Sequence, residues 1–467
     1  MRTPFLCFAL SLSSCFLLPG AELFAQFGGN NGGGGGFQNF GGIIIDGEGV
    51  LGTTREKRIS KTALRKLQEE FSKEQLNASV IEESEARTLS LKQLDAAVKQ
   101  ALEAGEEIPA SLRYLAGLQR IDFIVVDQAN NDMLIVGPAE GFAPGPNGQL
   151  VGLSSGRPPL QLDDLVVALR ATLGGQPEMG VSIDPTDENM GNLQNYIRRN
   201  SNATTTSVAQ RRYQMMGKIL ANQVISIWGV PEDSHFALAL AEADLRMKKI
   251  ALGTEPSGVR GVRSHLSLLI PQGNSLQRWW FVPSYESIGT NDSRSVFEIK
   301  GQRAQLMAQE EIADASGQRR DADFTRKTTE KFAQLFSEKF DELANANTAF
   351  AKLQGLYDLS LVAALVKSER PFGNDTTGIA TLLNDERLPL ESYPVPKFVK
   401  SAATYRKSSR GMLLGLIGGV TIRMNQVINN TEVQPRLYSE RFQPNTVTKN
   451  WWWNSGGSAT PQETPRR

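Results

Sequence analysis

KFAQLFSEKFDELANANTAFAKLQGLYDLSLVAALV, residues 331–366, is the stretch on which the reading of the fold turns. Phe332, Leu335, Phe336, Phe340 and Leu343 recur at helical spacing, with Phe324 marking the start of the same helix upstream. Phe350, Leu353, Leu356, Tyr357, Leu361 and Leu365 mark a second helix, and Asn345-Ala346-Asn347 between them are turn formers. Two apolar stripes joined by so short a polar break predict an αα-hairpin.

Working outward, the chain before this hairpin mixes the two periodicities. Phe123-Ile124-Val125-Val126 and Met133-Leu134-Ile135-Val136 flank an Asn/Asp cluster and predict a β-hairpin. Ile43-Ile44-Ile45 before Asp46-Gly47, and Val181-Ser182-Ile183 before Asp184-Pro185, repeat the strand–Asp–turn pattern. Helices are predicted over 54–76, from Ser90 to Gly105, over 162–173, within 189–220, and from Ser234 to Gly253. The last of these has a cap and acids at its start and Lys248-Lys249 near its end. Strands are predicted over 224–230, 262–270, 278–282 and 296–299. Met412 to Ile422 reads as one further buried strand, interrupted by Gly418-Gly419.

The sum is an α+β fold with mixed β-sheets, packed helices and a C-terminal αα-hairpin, behind a flexible Gly-rich N-terminal linker. The expected organisation is a signal peptide over 1–25, the linker over 26–42, and an N-terminal α+β region over 43–158. A central α/β region over 159–310 comes next, then a helical hairpin region with a terminal strand over 311–443, and a disordered tail over 444–467.

The first segment reads as an export signal. Arg2 precedes an apolar run over 5–18, Pro19-Gly20 break it, and Ala25 supplies a small residue before Gln26. Cys7 and Cys15, the chain's 2 cysteines, both fall inside it, so a chain cut there is cysteine-free. A rival reading takes Leu12-Ser13-Ser14-Cys15 as a lipobox with Cys15 lipidated, although Phe16-Leu17-Leu18 continue the apolar run past it. These features point to a periplasmic, cell-envelope or extracellular protein, with no transmembrane segment expected after the signal.

Composition removes several function classes. Among 467 residues, 50 Lys+Arg balance 50 Asp+Glu, which argues against nucleic acid as a partner. With 2 Cys and 2 His, a zinc or iron–sulfur site has almost no ligands to draw on, and no metal site is expected. Gly47-Glu48-Gly49-Val50-Leu51-Gly52 fits the dinucleotide fingerprint, but Asp46 and Glu48 would set carboxylates beside a pyrophosphate, so it reads as a glycine-rich hairpin and no cofactor is expected. Gly152-Leu153-Ser154-Ser155-Gly156 fits the nucleophile elbow, but Arg157-Pro158-Pro159 stand where a helix must start, so it reads as a turn. His235 falls in the first turn of a helix as a partly exposed neutral imidazole, and His265 on the polar side of a strand. Asp184 to Asn189 gather oxygen ligands of the kind calcium takes, but their spacing does not match an EF-hand loop and they read as a turn capping the next helix.

Two aromatic features remain. In Arg278-Trp279-Trp280-Phe281 with Tyr285, strand alternation sends one set of rings into the core and leaves the other for a sugar or a partner. Trp451, Trp452 and Trp453 stand together in a polar tail, where three indoles call for a docking surface or a partner.

Several phrases together resemble an uncharacterised exported protein family of planctomycete bacteria, a domain of unknown function. They are GIIIDGEGVL at 42–51, Phe123 to Val126 with Gly137-Pro138, FALALAEADLRMKKI at 236–250, RWWF at 278–281 and residues 332–367. The resemblance implies export and a shared fold, and assigns no catalytic residue. With no catalytic constellation to identify, the expected function is a non-enzymatic binding or assembly protein whose partner is an envelope or extracellular protein or polysaccharide. Trp451, Trp452 and Trp453 are its candidate partner contacts. The alternative is a hydrolase of an envelope or extracellular polymer, acting through carboxylates that one sequence does not single out.

Overall fold

Helix Thr348–Glu369 carries apolar residues on every side, as a helix must when protein surrounds it. Asn347 caps its start by accepting from the Ala349 amide, and Arg370, in the left-handed region, ends it. In a computed structural model describing residues 38–40, 42–53, 59–202, 204–269, 276–314, 316–373, 376–401, 403–406, 411–414 and 417–434, this helix is the axis of the molecule. It packs against helices Leu162–Leu173 and His235–Leu252 and strand Arg303–Ala313. Its length and composition would suit a membrane span, yet 94% of its 18-residue apolar window is buried inside the protein.

Two main sheets flank the helices, so the fold is a mixed α+β architecture. The larger has ten strands in the order Gln38–Phe40, Ile43–Ile45, Val50–Thr53, Phe398–Lys400, Asn222–Trp228, Met179–Asp184, Ile417–Ile422, Leu276–Ser284, Arg303–Ala313 and Arg319–Asp321. The smaller has six, centred on the hairpin Phe123–Asp127 and Asp132–Ala139, whose register pairs Phe123 with Val136. One hydrophobic cluster runs through both, from Ile43 to Met424.

Register in the large sheet decides which side chains share a face. Strand Leu276–Ser284 pairs antiparallel with Arg303–Ala313, Trp279 opposite Ala308, and parallel with Ile417–Ile422, Trp279 opposite Gly418. Ile417–Ile422 in turn pairs antiparallel with Met179–Asp184, Gly419 opposite Ser182. Because side chains alternate, Ile183, Val181, Val420, Trp279, Phe281 and Leu306 share the inner face and are buried. Ser226, Ser182, Gly419 and Trp280 form a row on the outer face. Gly418 and Gly419 hold the strands at this spacing: a Cβ would sit 1.6 Å from the Trp279 carbonyl oxygen at one and 1.9 Å from that of Val181 at the other.

The predicted αα-hairpin is the inner face's partner. Phe336, Phe340 and Phe350 pack around Phe281 in tilted and edge-on arrangements, Phe336 and Phe350 meeting at 5.3 Å and 87°, and Phe332 adjoins Phe336 at 5.7 Å. Trp279 meets Phe332 at 5.2 Å. The hairpin and the tryptophan strand, read separately in the sequence, are two sides of one aromatic core.

Several expectations are corrected. Helix Lys327–Glu338 begins after Phe324, which is 62% exposed, and a break at Lys339 separates it from Phe340–Ala346. Within the strand expected over 262–270, the described residues 262–269 are not a strand. Ser264 accepts from the Ser267 amide and caps the short helix His265–Leu268, so a local side-chain cap overrides an alternating pattern. The span 412–422 holds two strands, Gly411–Leu414 and Ile417–Ile422. Gln38–Phe40, expected within the linker, pairs as a strand with Ile43–Ile45. The eleven-residue strand Arg303–Ala313 went unpredicted.

Candidate binding cleft

On the outer face of the large sheet the same strand that buries Trp279 and Phe281 presents Arg278, Trp280 and Val282 to a cleft of about 540 Å³, a volume suited to a small ligand or a few sugar rings. Opposite them stand Arg423, Gln426 and Asn430, brought in by the parallel pairing with Ile417–Ile422 and the helix Met424–Ile428 beyond it. The Arg278 guanidinium lies over the Trp280 ring, 4.8 Å from its centroid. Its Nη1 is 3.4 Å from Glu311 Oε1. Burial raises the Glu311 carboxyl, and Arg319 and Arg278 oppose that rise.

Glu178 braces the neighbouring edge. Its carboxylate pairs with Arg423 and accepts the indole N–H of Trp228 at 3.0 Å. Trp228 lies flat over Gly180, where a Cβ would stand 2.4 Å from the ring.

Tyr285 closes the cleft from below. Its hydroxyl donates to Oδ1 of the fully buried Asp358 at 3.2 Å. Asp358 also accepts the Ile121 amide at 3.0 Å and faces Arg303 Nε at 3.4 Å, while Arg303 Nη2 reaches Asp122 at 3.0 Å. Burial raises both the Tyr285 hydroxyl and the Asp358 carboxyl, the latter opposed by Arg303. The cleft floor is thus tied to a buried ionic cluster, which holds the ring in one orientation.

Chemically, the cleft offers a flat indole, two guanidinium forks and two side-chain amides. Among the described residues that line it, Glu286 is the one carboxylate, whereas glycoside hydrolysis requires a facing pair.

The other motifs resolve into structure. Asp46 Oδ1 accepts the amides of Glu48 at 3.0 Å and Val50 at 2.9 Å, so the glycine-rich turn that fits the fingerprint is a β-hairpin whose amides a carboxylate already occupies. Ser154 and Ser155 wrap around Glu140, whose oxygens take the Ser154 amide at 2.6 Å and the Ser155 hydroxyl. Burial works against the Glu140 carboxylate, but these donors outweigh it and hold its pKa below the ordinary value. Thr186 caps helix Asp187–Arg199 by accepting from Asn189, and Asp184 pairs with Arg319 at 3.2 Å, so the oxygen-rich turn serves as a cap. Among the described residues no group of three or more His, Cys, Asp or Glu is placed to hold a metal ion.

Both histidines are more deeply engaged than expected. His235 Nδ1 lies 2.9 Å from Asp164, and Nε2 lies 3.2 Å from the Gln161 amide nitrogen. The amide donates to Nε2, so Nδ1–H donates to Asp164, and both ring nitrogens are taken by partners other than a hydroxyl. His265 is fully buried against Trp279 at 4.7 Å, rather than on a polar strand face, and burial pushes its pKa down to about 4. Sequence reasoning missed Asp164, Arg423 and Asp358. Their partners lie far away along the chain, and no local pattern points to them. Trp451, Trp452 and Trp453, the segment expected to be an export signal and most of the expected linker lie outside the described residues.

Residues 181–265 match a family model described as a protein of unknown function (DUF1598), spanning the strand of Ser182, the two helices after it, strand Asn222–Trp228 and helix His235–Leu252. No curated protein and no solved structure matches the chain.

Proposed function

We propose that the chain is an exported, non-enzymatic binding protein of the bacterial cell envelope or extracellular space, and that the Trp280 cleft binds a polysaccharide. The observation that carries this reading is the half-exposed Trp280 ring, flanked by Arg278 and faced by Arg423, Gln426 and Asn430 across a space of about 540 Å³. A sugar ring presents an apolar C–H face to an indole and hydroxyls at its rim to guanidinium and amide groups, so each lining group has a partner. Trp451, Trp452 and Trp453 are proposed as a separate partner contact, and the resemblance to an exported planctomycete family supports the location.

A panel of envelope and extracellular polysaccharide fragments, titrated against the protein with tryptophan fluorescence and followed for release of reducing ends, tests this. Saturable binding without cleavage is the expected result. Cleavage that survives purification and is lost in Glu286→Gln would establish the hydrolase instead.

A further inference from the structure

The hairpin of helices Asp187–Arg199 and Thr206–Leu220 carries basic side chains with no acid beyond its first two residues. Residues 189–231 contain Arg198, Arg199, Arg211, Arg212 and Lys218 and no Asp or Glu, in a protein whose 50 cations and 50 acids balance over the whole chain. Arg212 Nη1 donates to the carbonyls of Asn200 at 2.6 Å and Asn202 at 2.9 Å. That clasp brings the end of the first helix against the second turn of the next and gathers Arg198, Arg199 and Arg211 at one tip. All three are exposed, and no ion pair engages them among the described residues. Other exposed cations do have acids beside them, as Arg65 has Glu69 at 3.1 Å and Arg294 has Glu369 at 2.6 Å.

Helix electrostatics accounts for part of this. Arg198, Arg199 and Lys218 lie in last turns, where cations complement the helix dipole, and Arg212 has its two carbonyls. Arg211 has neither reason. It lies in the second turn of its helix, beyond the reach of either helix end, so the dipole gives no reason for a cation there. The hairpin rests on the sheet through a small apolar seam of Met190, Leu193, Met216 and Leu220 against Leu276, separate from the main core.

We infer that this tip is a docking surface for an acidic polysaccharide. Guanidinium forks match carboxylate and sulfate groups in pairs; Arg198 also donates to Asn195 Oδ1 at 2.7 Å, and the exposed amides of Asn192 and Gln214 suit sugar hydroxyls. A long duplex is the poorer fit, because the neutral chain offers it no wider positive field. The surface is distinct from the Trp280 cleft, and either assignment stands or falls without the other.

The test is calorimetric titration of the intact protein with polygalacturonate, neutral dextran, a DNA duplex and anionic phosphatidylglycerol vesicles at low and moderate salt. Polygalacturonate is expected to bind, more weakly as salt rises, and neutral dextran not to bind at this surface. The double variant Arg199→Gln/Arg211→Gln should lose about tenfold or more in affinity and part of the salt dependence. Arg65→Gln/Lys66→Gln on helix Lys61–Gln75 should bind as the parent does, and an unchanged melting curve for both variants shows that folding is not at issue. Equal affinity in the two variants, or tighter binding of the duplex or the vesicles than of polygalacturonate, would overturn the inference.

Discussion

Trp279 and Trp280 are neighbours in one strand and belong to different parts of the protein. Trp279 is fully buried, packed on His265 and Phe332, with the helices of the αα-hairpin over it. Trp280 is half-buried on the opposite face, under an arginine and beside open space. The strand alternation that fills the core on one side presents the cleft proposed to bind a ligand on the other. If the proposed recognition holds, stability and recognition are separable at single-residue resolution.

The sharpest way to break that contrast is a matched pair of truncations. Trp279→Ala should destabilise the protein by about 3–5 kcal/mol, since it opens a cavity in a close-packed aromatic cluster. Trp280→Ala should cost within about 1 kcal/mol, the scale of an exposed cation–π contact. Urea denaturation of both variants measures the difference, and equal losses would mean that the outer ring is core after all.

Asp358→Ala is expected to come next. It leaves Arg303 buried with Asp122 as its remaining carboxylate and frees the Tyr285 hydroxyl, at a cost of about 3–5 kcal/mol. Because Tyr285 floors the cleft, this variant alone should couple a large loss of stability to a loss of ligand binding.

The pH dependence of stability sharpens the inner half of the comparison. His265 titrates near 4 when folded, against an ordinary value of 6.5 in the unfolded chain. Between those values the unfolded state takes up the proton and the folded state does not. The stabilisation from a neutral His265 is therefore complete above pH 6.5 and is lost as pH falls toward 4. The full span is on the order of 3 kcal/mol. In His265→Phe that part of the acid limb should be missing from denaturation curves taken between pH 4 and 7, whereas an unchanged limb would show that the imidazole is accessible to protons in the folded state.

How much of this was legible depends on the range of the interactions. Helix ends were readable because their signals are local: Ser90 and Gly105, or Ser234 and Gly253, cap helices Leu91–Ala104 and His235–Leu252 where the sequence places them. The hairpin at 123–136 was readable from β-branched runs around a polar turn. Strand Arg303–Ala313 was not, because it buries Glu310, a residue that reads as solvent-facing until the amide of Arg326 and the hydroxyl of Thr329 are seen to satisfy it. The alternation of Trp279 and Trp280 was visible. The opposite wall of the cleft was not, since Arg423 and Gln426 arrive through a parallel pairing between strands distant in sequence, and no single sequence specifies such a register. The buried place of His265 was hidden for a related reason: one serine cap turned an apparent strand into a helical turn.

The central claim is that the outer face recognises a polysaccharide while the inner face holds the fold. The most direct measurement is the affinity of Trp280→Ala, against the parent protein, for the best-binding fragment from the polysaccharide panel, taken with the melting temperature of each. The account predicts at least a tenfold loss of affinity with a melting temperature unchanged within a few degrees. Affinity retained in a fully folded Trp280→Ala protein would contradict it.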